Sequence, residues 1–179
     1  VAYLILNGEL PTKKQLKDFE KQERKERKLS KTLLEDIKKF PRKAHPMDAA
    51  RTAVSIMGLE DKETKDNSSK ANMRKVMRIF AKTPVALAAF YRSRKGKKII
   101  PPKKKLSFSE NFFHMCFGKI PAKEVIKAFD VSLILYAEHS FNASTFASRV
   151  ITSTTSDIYS AVCGGIGALK GPLHGGANE

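Results

Sequence analysis

The sequence contains few cysteines and no long apolar segment. Cys116 and Cys163 are its only cysteines, they lie 47 residues apart, and no Cys-x-x-Cys pair occurs. These features indicate neither a disulfide framework nor a structural zinc site, and they favour the reduced thiols of a cytoplasmic protein. Because no apolar run could span a bilayer and the first ten residues show no basic leader or cleavage site, we expect a soluble protein without membrane partners.

Acidic residues are scarce relative to basic ones. The chain has 18 Asp and Glu against 34 Lys and Arg, a formal net charge of +16, and residues 1–105 hold 29 of the basic residues but 12 of the acidic ones. Such a field attracts the phosphates of a nucleic acid or of an anionic cofactor, although a solvated basic surface explains the same charge. No RNP-like aromatic motif, zinc-finger spacing or helix-turn-helix signature is present. Nucleic acid is therefore not the partner that the sequence favours.

Helix signals replace the alternation of side chains that β-strands require. Thr12 and Gln15 form a capping-box pattern that predicts an exposed, highly charged helix. The following helix is predicted to end before Pro41, because proline disfavours helical geometry in the residue that precedes it. Pro46 fits the first turn of a third helix, in which apolar residues recur every three or four positions until Gly58, a predicted stop.

Residues 70–95 continue the helical spacing, with Pro84 expected to kink or break the helix. The lysine- and proline-rich residues 95–105 are predicted to form a loop. Further helices are predicted over residues 108–117, 121–137, 141–152 and 156–167. The chain is therefore predicted to be all-α, and its length is sufficient for a sizeable buried core.

Two histidines stand out near the end of the chain. His139 and His174 are 35 residues apart, and Asn142 and Ser144 follow the first within about one helical turn. A histidine donates to a carboxylate or ketone oxygen and moves a proton near neutral pH, so two converging histidines suit an oxyacid and a carbonyl. Histidines are also metal ligands, but no third ligand follows at a comparable spacing, and we predict no metal site.

The residues after His174 suggest close approach by a ligand. Gly175 and Gly176 have no side chains, so the backbone beside the ring adopts conformations closed to other residues and leaves room for a substrate. After residue 138, small side chains predominate, which permits close helix packing and leaves backbone and hydroxyl groups accessible to a ligand. The other two histidines, His45 and His114, are interpreted as structural.

Several stretches together resemble the citrate synthase family. The longest are YAEHSFNASTFASRVITSTTSDIYSA and GIGALKGPLHGGANE. Earlier landmarks of the family are similar to YLILNGELPTKKQL, HPMDAARTAVSIMG and LSFSENFFHMCFG, so the resemblance covers most of the chain. Within it, residues 138–142, EHSFN, resemble the 2-methylcitrate synthases, since citrate synthases usually have an acidic residue directly after this histidine.

The resemblance implies an all-α fold with a large and a small domain, a homodimer, and domain closure over the substrates. It implies condensation of an acyl-coenzyme A with oxaloacetate, and the EHSFN stretch favours propionyl-coenzyme A, which gives 2-methylcitrate and free coenzyme A. The alternative is citrate synthase activity with acetyl-coenzyme A. The coenzyme A thioester is a substrate, and neither a metal nor a permanently bound cofactor is implied.

The resemblance also implies roles for single residues. His174 would donate to the thioester oxygen and stabilise the enolate that forms when the α-carbon loses its proton. His139 would bind a carboxylate of oxaloacetate. The remaining substrate-binding residues would be Asn142, Ser144, Gly175 and Gly176.

Part of the family's machinery has no counterpart in this sequence. The carboxylate that takes the α-proton, a further histidine, the carboxylate-binding arginines and the main coenzyme A loop come later in the family. We therefore expect residues 1–179 to be a partial large helical domain without the small domain, and to be inactive alone. Two other classes stay open: a basic nucleic-acid-binding helical module and an inactive, dimerising remnant of the fold.

Overall fold

Helices make up the regular secondary structure of the chain. The computed structural model describes residues 1–138 and 140–178. The elements are α1 (Ala2–Asn7), α2 (Lys13–Glu26), α3 (Lys31–Lys39), α4 (Pro46–Glu60), α5 (Ser69–Arg94), α6 (Phe108–Phe117), α7 (Lys123–Leu135), α8 (Ala143–Ser153), α9 (Ile158–Leu169) and a 3-10 helix (Gly175–Asn178). No β-strand occurs in these two ranges, which confirms the all-α prediction. None of the helices in them is long and apolar enough to cross a membrane.

Side-chain caps explain where several helices begin. At α2, the Gln15 N–H donates to Thr12 Oγ1 (3.3 Å) and the Thr12 N–H donates to Gln15 Oε1 (2.8 Å), which confirms the predicted capping box. Asn142 and Asp157 cap α8 and α9 in the same way, each accepting from a backbone N–H three residues on. Because these caps lie outside the helices, α8 and α9 begin two residues later than predicted.

The longest helix, α5, lies at the centre of the core. It packs against α2, α3, α4, α6 and α9, and ten of its residues are buried. It continues through Pro84, so the predicted break at this proline does not occur. An interior proline costs about 3 kcal/mol, and burial of Ile79, Val85 and Phe90 on both sides of it offsets that cost by about 1.5–3 kcal/mol for each side chain.

The predicted stop at Gly58 is wrong, because α4 continues to Glu60. Gly58 instead lies where α4 meets α9. A Cβ added to it would lie 2.9 Å from the Cβ of Tyr159, which is closer than real side chains approach. The glycine therefore lets two helices pack closely and does not end the first of them.

The prediction that α2 is exposed is wrong for one of its faces. Glu23 on that face and Arg27, the residue directly after the helix, are 5% and 2% exposed, and their ion pair joins Arg27 Nη2 to Glu23 Oε2 at 2.6 Å. Arg27 Nη1 also donates to the carbonyls of Lys103 and Leu106, each at 3.0 Å. A buried charge is tolerated only when it is paired and hydrogen-bonded, so this arginine fastens the loop before α6 to α2.

Small residues join α8 to α9, as predicted. A Cβ on Gly164 would lie 2.2 Å from Ile151 Cδ1, and one on Gly165 would lie 2.5 Å from Ser148 Oγ. The Ser148 hydroxyl lies within hydrogen-bond reach of the carbonyls of Ser144 and Ala161, which links the two helices directly. Since α9 also packs against α4 and α5, α8 is attached to the core mainly through α9.

Candidate active site

The backbone after α9 turns at once and brings His174 to the start of α8. The Gly171 N–H donates to Ala168 O (3.0 Å), and the His174 N–H donates to Gly171 O (2.9 Å). These turns lead from α9 into the 3-10 helix Gly175–Asn178. His174 is half-buried, so its position depends on both α8 and α9.

His174 contacts α8 through Ser144. Ser144 is the second residue of α8, where a backbone N–H has no partner within its own helix. This N–H donates to His174 Nε2 (3.3 Å), and the Ser144 hydroxyl oxygen lies 2.9 Å from the same nitrogen. An Nε2 that accepts this N–H carries a lone pair, which corresponds to the tautomer with the ring proton on Nδ1; the opposite tautomer would donate from Nε2 to the Ser144 hydroxyl. In the first tautomer, Nδ1 is the hydrogen-bond donor of the ring.

Asn142 fixes the geometry around Ser144. Its Oδ1 accepts from the Thr145 N–H (2.6 Å) and from the Ser144 hydroxyl (2.9 Å). Its Nδ2 donates to the carbonyl of Ser140 (3.4 Å), a residue with the left-handed φ of 76°, which is costly for a non-glycine residue. Asn142 thus orders the first turn of α8, and its predicted role in binding a substrate, like that of Ser144, stays a prediction.

The two glycines after His174 fit tightly against the end of α9. A Cβ on Gly175 would lie 2.6 Å from the carbonyl oxygen of Leu169, and one on Gly176 would lie 2.5 Å from that of Lys170. Backbone atoms do not yield as a flexible side chain does, so a larger residue at either position would displace the segment that carries His174. Packing is therefore one reason for the glycines, and access for a substrate stays a prediction.

One ion pair next to this site was not predicted from the sequence. Lys170 Nζ donates to Asp48 Oδ2 at 2.6 Å, and Arg51 Nη2 lies 3.1 Å from Asp48 Oδ1. The hydrogen bond from Lys170 lowers the pKa of Asp48, and the charges of Lys170 and Arg51 act in the same direction. The pair joins the end of α9 to the start of α4, across 122 residues that no local sequence pattern connects.

The two histidines interpreted as structural have structural contacts. His45 caps α4, and its Nδ1 accepts from the Met47 N–H at 3.1 Å. His114 is buried on α6, and burial lowers its pKa, with a smaller contribution from the charge of Lys103. Both observations agree with the structural interpretation.

His139 lies outside the described residues, so its predicted convergence with His174 stays a prediction. Of the other predicted site residues, the structure brings Asn142 and Ser144 to His174 and places Gly175 and Gly176 directly after it. Within residues 1–138 and 140–178, no group of three or more His, Cys, Asp or Glu side chains is arranged to hold a metal ion.

Comparison with known proteins places this chain in a family. The family model for the citrate synthase C-terminal domain matches residues 1–179. The chain belongs to the citrate synthase family. The family predicted from the sequence motifs is thereby confirmed.

Relatives with two different names, citrate synthase and 2-methylcitrate synthase, are equally similar to the chain. Citrate synthase of Mycolicibacterium smegmatis and 2-methylcitrate synthase of Mycobacterium tuberculosis are each 52% identical to the chain over 179 residues. The match takes in all of this chain but 48% and 45% of those proteins, respectively. The chain therefore spans about half the length of the curated relatives it matches.

Solved structures of citrate synthases have the same fold. The enzyme from Pyrobaculum aerophilum superposes with a TM-score of 0.92 at 39% identity, covering 99% of this chain and 46% of that one. The ternary complex of citrate synthase from Thermoplasma acidophilum with carboxymethyl coenzyme A and oxaloacetate gives 0.90 at 34% identity, covering 98% and 46%. Because these likenesses extend over nearly the whole chain, the nine helices described above follow the citrate synthase arrangement.

Proposed function

We propose that the protein to which these residues belong condenses an acyl-coenzyme A with oxaloacetate. The hydrogen bond from the Ser144 N–H to His174 Nε2 carries this proposal. In the tautomer in which Nε2 accepts this bond, the ring proton is on Nδ1, and we assign that Nδ1–H as the donor to the thioester oxygen. The Thermoplasma acidophilum relative, whose complex contains oxaloacetate and a coenzyme A analogue, supports the same substrate classes.

The reaction needs a donor of this kind. The α-proton of a thioester is too weakly acidic to be removed unless the developing oxyanion is stabilised, and one such donor is worth about 10²–10³ in rate. His174 would supply the donor, and a carboxylate outside this chain would take the proton. The α-carbon then bonds to the keto carbon of oxaloacetate, and water cleaves the thioester to release free coenzyme A.

The remaining site residues hold the second substrate and the acyl group. We assign His139 to a carboxylate of oxaloacetate, with Asn142 and Ser144 supporting that pocket. Gly175 and Gly176 let the acyl group approach the ring. The contacts that join Asn142, Ser144 and His174 support this assignment, because a change at one of them moves the others.

Propionyl-coenzyme A is the favoured acyl donor in this proposal, and acetyl-coenzyme A is the alternative. The choice rests on Ser140, which follows His139 where citrate synthases usually have an acidic residue. The two relatives named above do not separate these alternatives, because one of each name is 52% identical to the chain.

Residues 1–179 would then be a partial large helical domain, completed by a small domain and by later active-site segments. We propose that the chain alone is inactive, that the protein is a cytoplasmic homodimer, and that it holds no permanent cofactor. Exposed apolar side chains on α7 and α8, including Leu135 and Phe146 at 71% each, support a further contact surface there.

Neither alternative from another class gains support. The relatives and structures named above are citrate or 2-methylcitrate synthases, and their names do not mention nucleic acid. An activity assay of the full-length protein distinguishes an active enzyme from an inactive remnant of the fold.

The direct test uses the full-length polypeptide that contains these residues. Incubation with oxaloacetate and either propionyl- or acetyl-coenzyme A should release free thiol, faster with the propionyl thioester. The 179-residue chain, assayed in parallel, should release none. Absence of thiol release with both thioesters would overturn the enzyme proposal, and faster release with acetyl-coenzyme A would overturn only the acyl preference.

A further inference from the structure

A groove between α2 and α5, which we name the α2–α5 groove, has an unusual concentration of positive charge. Its volume is about 930 Å³. Seven basic residues line it: Lys17, Lys21, Arg24 and Lys25 on α2, Arg74 and Arg78 on α5, and Lys104 in the loop before α6. Three carboxylates line it as well, so the cations are in excess by four. A concave surface with one dominant sign of charge concentrates ions of the opposite sign.

The helical period explains why these cations share one groove. Lys17, Lys21 and Lys25 recur every four residues, so they form one row along α2. At a rise of 1.5 Å per residue, that row is about 12 Å long. Arg74 and Arg78 are likewise one turn apart on α5. A different face of α2, which contains Glu23, is buried together with Arg27, the residue that follows the helix.

The lysines of the groove are not neutralised within the chain. In the part of the chain that the structure describes, Lys17, Lys21, Lys25 and Lys104 form no ion pair. Of the three lining carboxylates, Glu20 is paired with Arg24 at 3.2 Å. Four ammonium groups therefore face the groove with their hydrogen-bond donors open to a ligand.

The two arginines are held in place by carboxylates that do not line the groove. Arg78 Nε lies 2.9 Å from Asp61 Oδ2, and Arg78 Nη2 lies 2.6 Å from Glu63 Oε2. Arg74 also pairs with Glu63. Since these bonds use Nε and Nη2 of each guanidinium, the Nη1 groups remain as oriented donors. Anchored guanidinium groups suit the tetrahedral oxygens of phosphate.

We propose that the α2–α5 groove binds a short condensed phosphate, a linear chain of phosphate groups. The repeated negative charge of such an anion matches a row of lysines one helical turn apart. Among the described residues that line the groove there is no aromatic side chain, so nothing there stacks on a nucleotide base. This site is separate from His174 and Ser144, and the proposal does not depend on the condensation reaction.

Calorimetric titration of the protein with sodium tripolyphosphate, at a fixed ionic strength near 0.15 M, tests the proposal. The triple variant Lys17→Gln/Lys21→Gln/Lys25→Gln should bind at least about tenfold more weakly, because three charge-assisted contacts are lost. The control Lys31→Gln/Lys43→Gln/Lys119→Gln changes the net charge equally at exposed positions outside the groove. It should stay within about twofold of the unchanged protein.

Each other outcome contradicts the proposal. Equal weakening in both triple variants would show a diffuse effect of net charge and not a site. Absence of binding to the unchanged protein at this ionic strength would overturn the site altogether. ATP should bind with an affinity close to that of tripolyphosphate, and a tenfold tighter association of ATP would show that the groove recognises a nucleotide and not the phosphate chain.

Discussion

Apolar side chains are buried in one region of the chain and exposed in another. Helices α4 and α5 bury six and ten residues, respectively, whereas α7 and α8 bury none. Leu33 on α3 is 1% exposed, while Leu135 at the end of α7 is 71% exposed. The buried core therefore consists of side chains from α3–α6 and α9, together with Leu29. Helix α7 contacts α6 and α8 contacts α9, but the apolar side chains that they leave exposed gain stability only from a further contact.

The candidate site lies where these regions meet. Ser144 belongs to the exposed helix α8, whereas His174 follows α9, which packs against α4 and α5. A rigid core on one side can hold the histidine in place while the other side moves or is covered. Elements with few buried side chains beside a core are where low-energy local motions concentrate.

Substitution of one leucine in each region tests whether the two regions differ in how much their buried apolar side chains stabilise the fold. Leu33→Ala removes a buried side chain and should lower the free energy of unfolding by about 2–5 kcal/mol, because it leaves a cavity. Leu135→Ala, the same chemical change at a 71% exposed position, should change it by less than about 0.5 kcal/mol. Urea denaturation of the 179-residue chain measures both.

The same leucine pair in the full-length protein sharpens the comparison. A large loss with Leu135→Ala there, but not in the 179-residue chain, would show that α7 is covered in the complete protein. A large loss in the chain itself would contradict the exposed surface described for α7.

His174→Ala tests whether the junction of the regions is the site of chemistry. In the full-length protein it should lower kcat by about 10²–10³, the usual cost of removing one donor to a developing oxyanion. Oxaloacetate affinity should remain largely unchanged, because His139 is assigned to that substrate. Steady-state kinetics and oxaloacetate titration provide the two measurements, and a joint loss of turnover and affinity would contradict this division of roles.

Local sequence signals predicted most of the helices but not how they pack. The Thr12–Gln15 box placed α2 correctly because both partners lie within one turn. Gly58 did not end α4 and Pro84 did not break α5, because the packing of each helix against its neighbours outweighs the local cost of these residues. The short helix α1 was not predicted. None of its residues is buried, so burial imposes no helical spacing of apolar residues on its sequence.

The candidate site was predictable only in part for the same reason. Family motifs identified His174 and Ser144, and the structure brings them together. Their hydrogen bond arises because α8 begins at residue 143, which leaves the Ser144 N–H without a partner in the helix. The Asp48–Lys170 pair had no signal in the sequence, since its partners are 122 residues apart.

The link between α9 and the core can be weakened at a single hydroxyl. Tyr159 is 3% exposed, and its hydroxyl donates to Asp61, which also accepts from Arg78 Nε at 2.9 Å. Burial raises the pKa of Tyr159, and its hydrogen bond to Asp61 raises it further, so the phenol remains a donor. Tyr159→Phe should cost about 1–3 kcal/mol, because it removes a hydrogen bond to a charged group.

Tyr136→Phe is the matched control for this change. Tyr136 is 70% exposed beside α7, and loss of its hydroxyl should be within about 0.5 kcal/mol of neutral. Thermal and urea unfolding measure both variants. Equal effects of the two substitutions would show that the Tyr159–Asp61 contact does not anchor α9.

A charge exchange tests the second anchor of α9, next to His174. Asp48→Lys or Lys170→Asp alone places like charges together and should loosen the segment that carries His174. The double variant restores an opposite pair and should recover the His174 ring resonances seen by NMR in the unchanged chain. Ring signals in either single variant that match those of the unchanged chain would exclude a positioning role for this pair.

Acid should lower the free energy of unfolding through the carboxylates that pair with α5. This is the smallest of the expected effects. Hydrogen bonds from Arg74 and Arg78 lower the pKa of Glu63 to about 2. For Asp61, burial opposes the shift, but hydrogen bonds from Tyr159 and the Glu63 backbone, together with the charge of Arg78, lower its pKa. A carboxylate with a lowered pKa in the folded state contributes stability above its unfolded pKa, near 4. That contribution is lost as the pH falls towards 2.

Glu63→Gln should flatten this acid dependence, because an amide has no proton to gain. We expect the urea midpoint of the unchanged chain to fall more steeply between pH 5 and pH 2.5 than that of the variant. The effect is modest because solvent screens the exposed Arg74–Glu63 pair. Glu124→Gln on α7, where the described residues form no ion pair with this carboxylate, should keep the full slope. If Glu63→Gln keeps it as well, the carboxylates at α5 do not set the acid stability of the core.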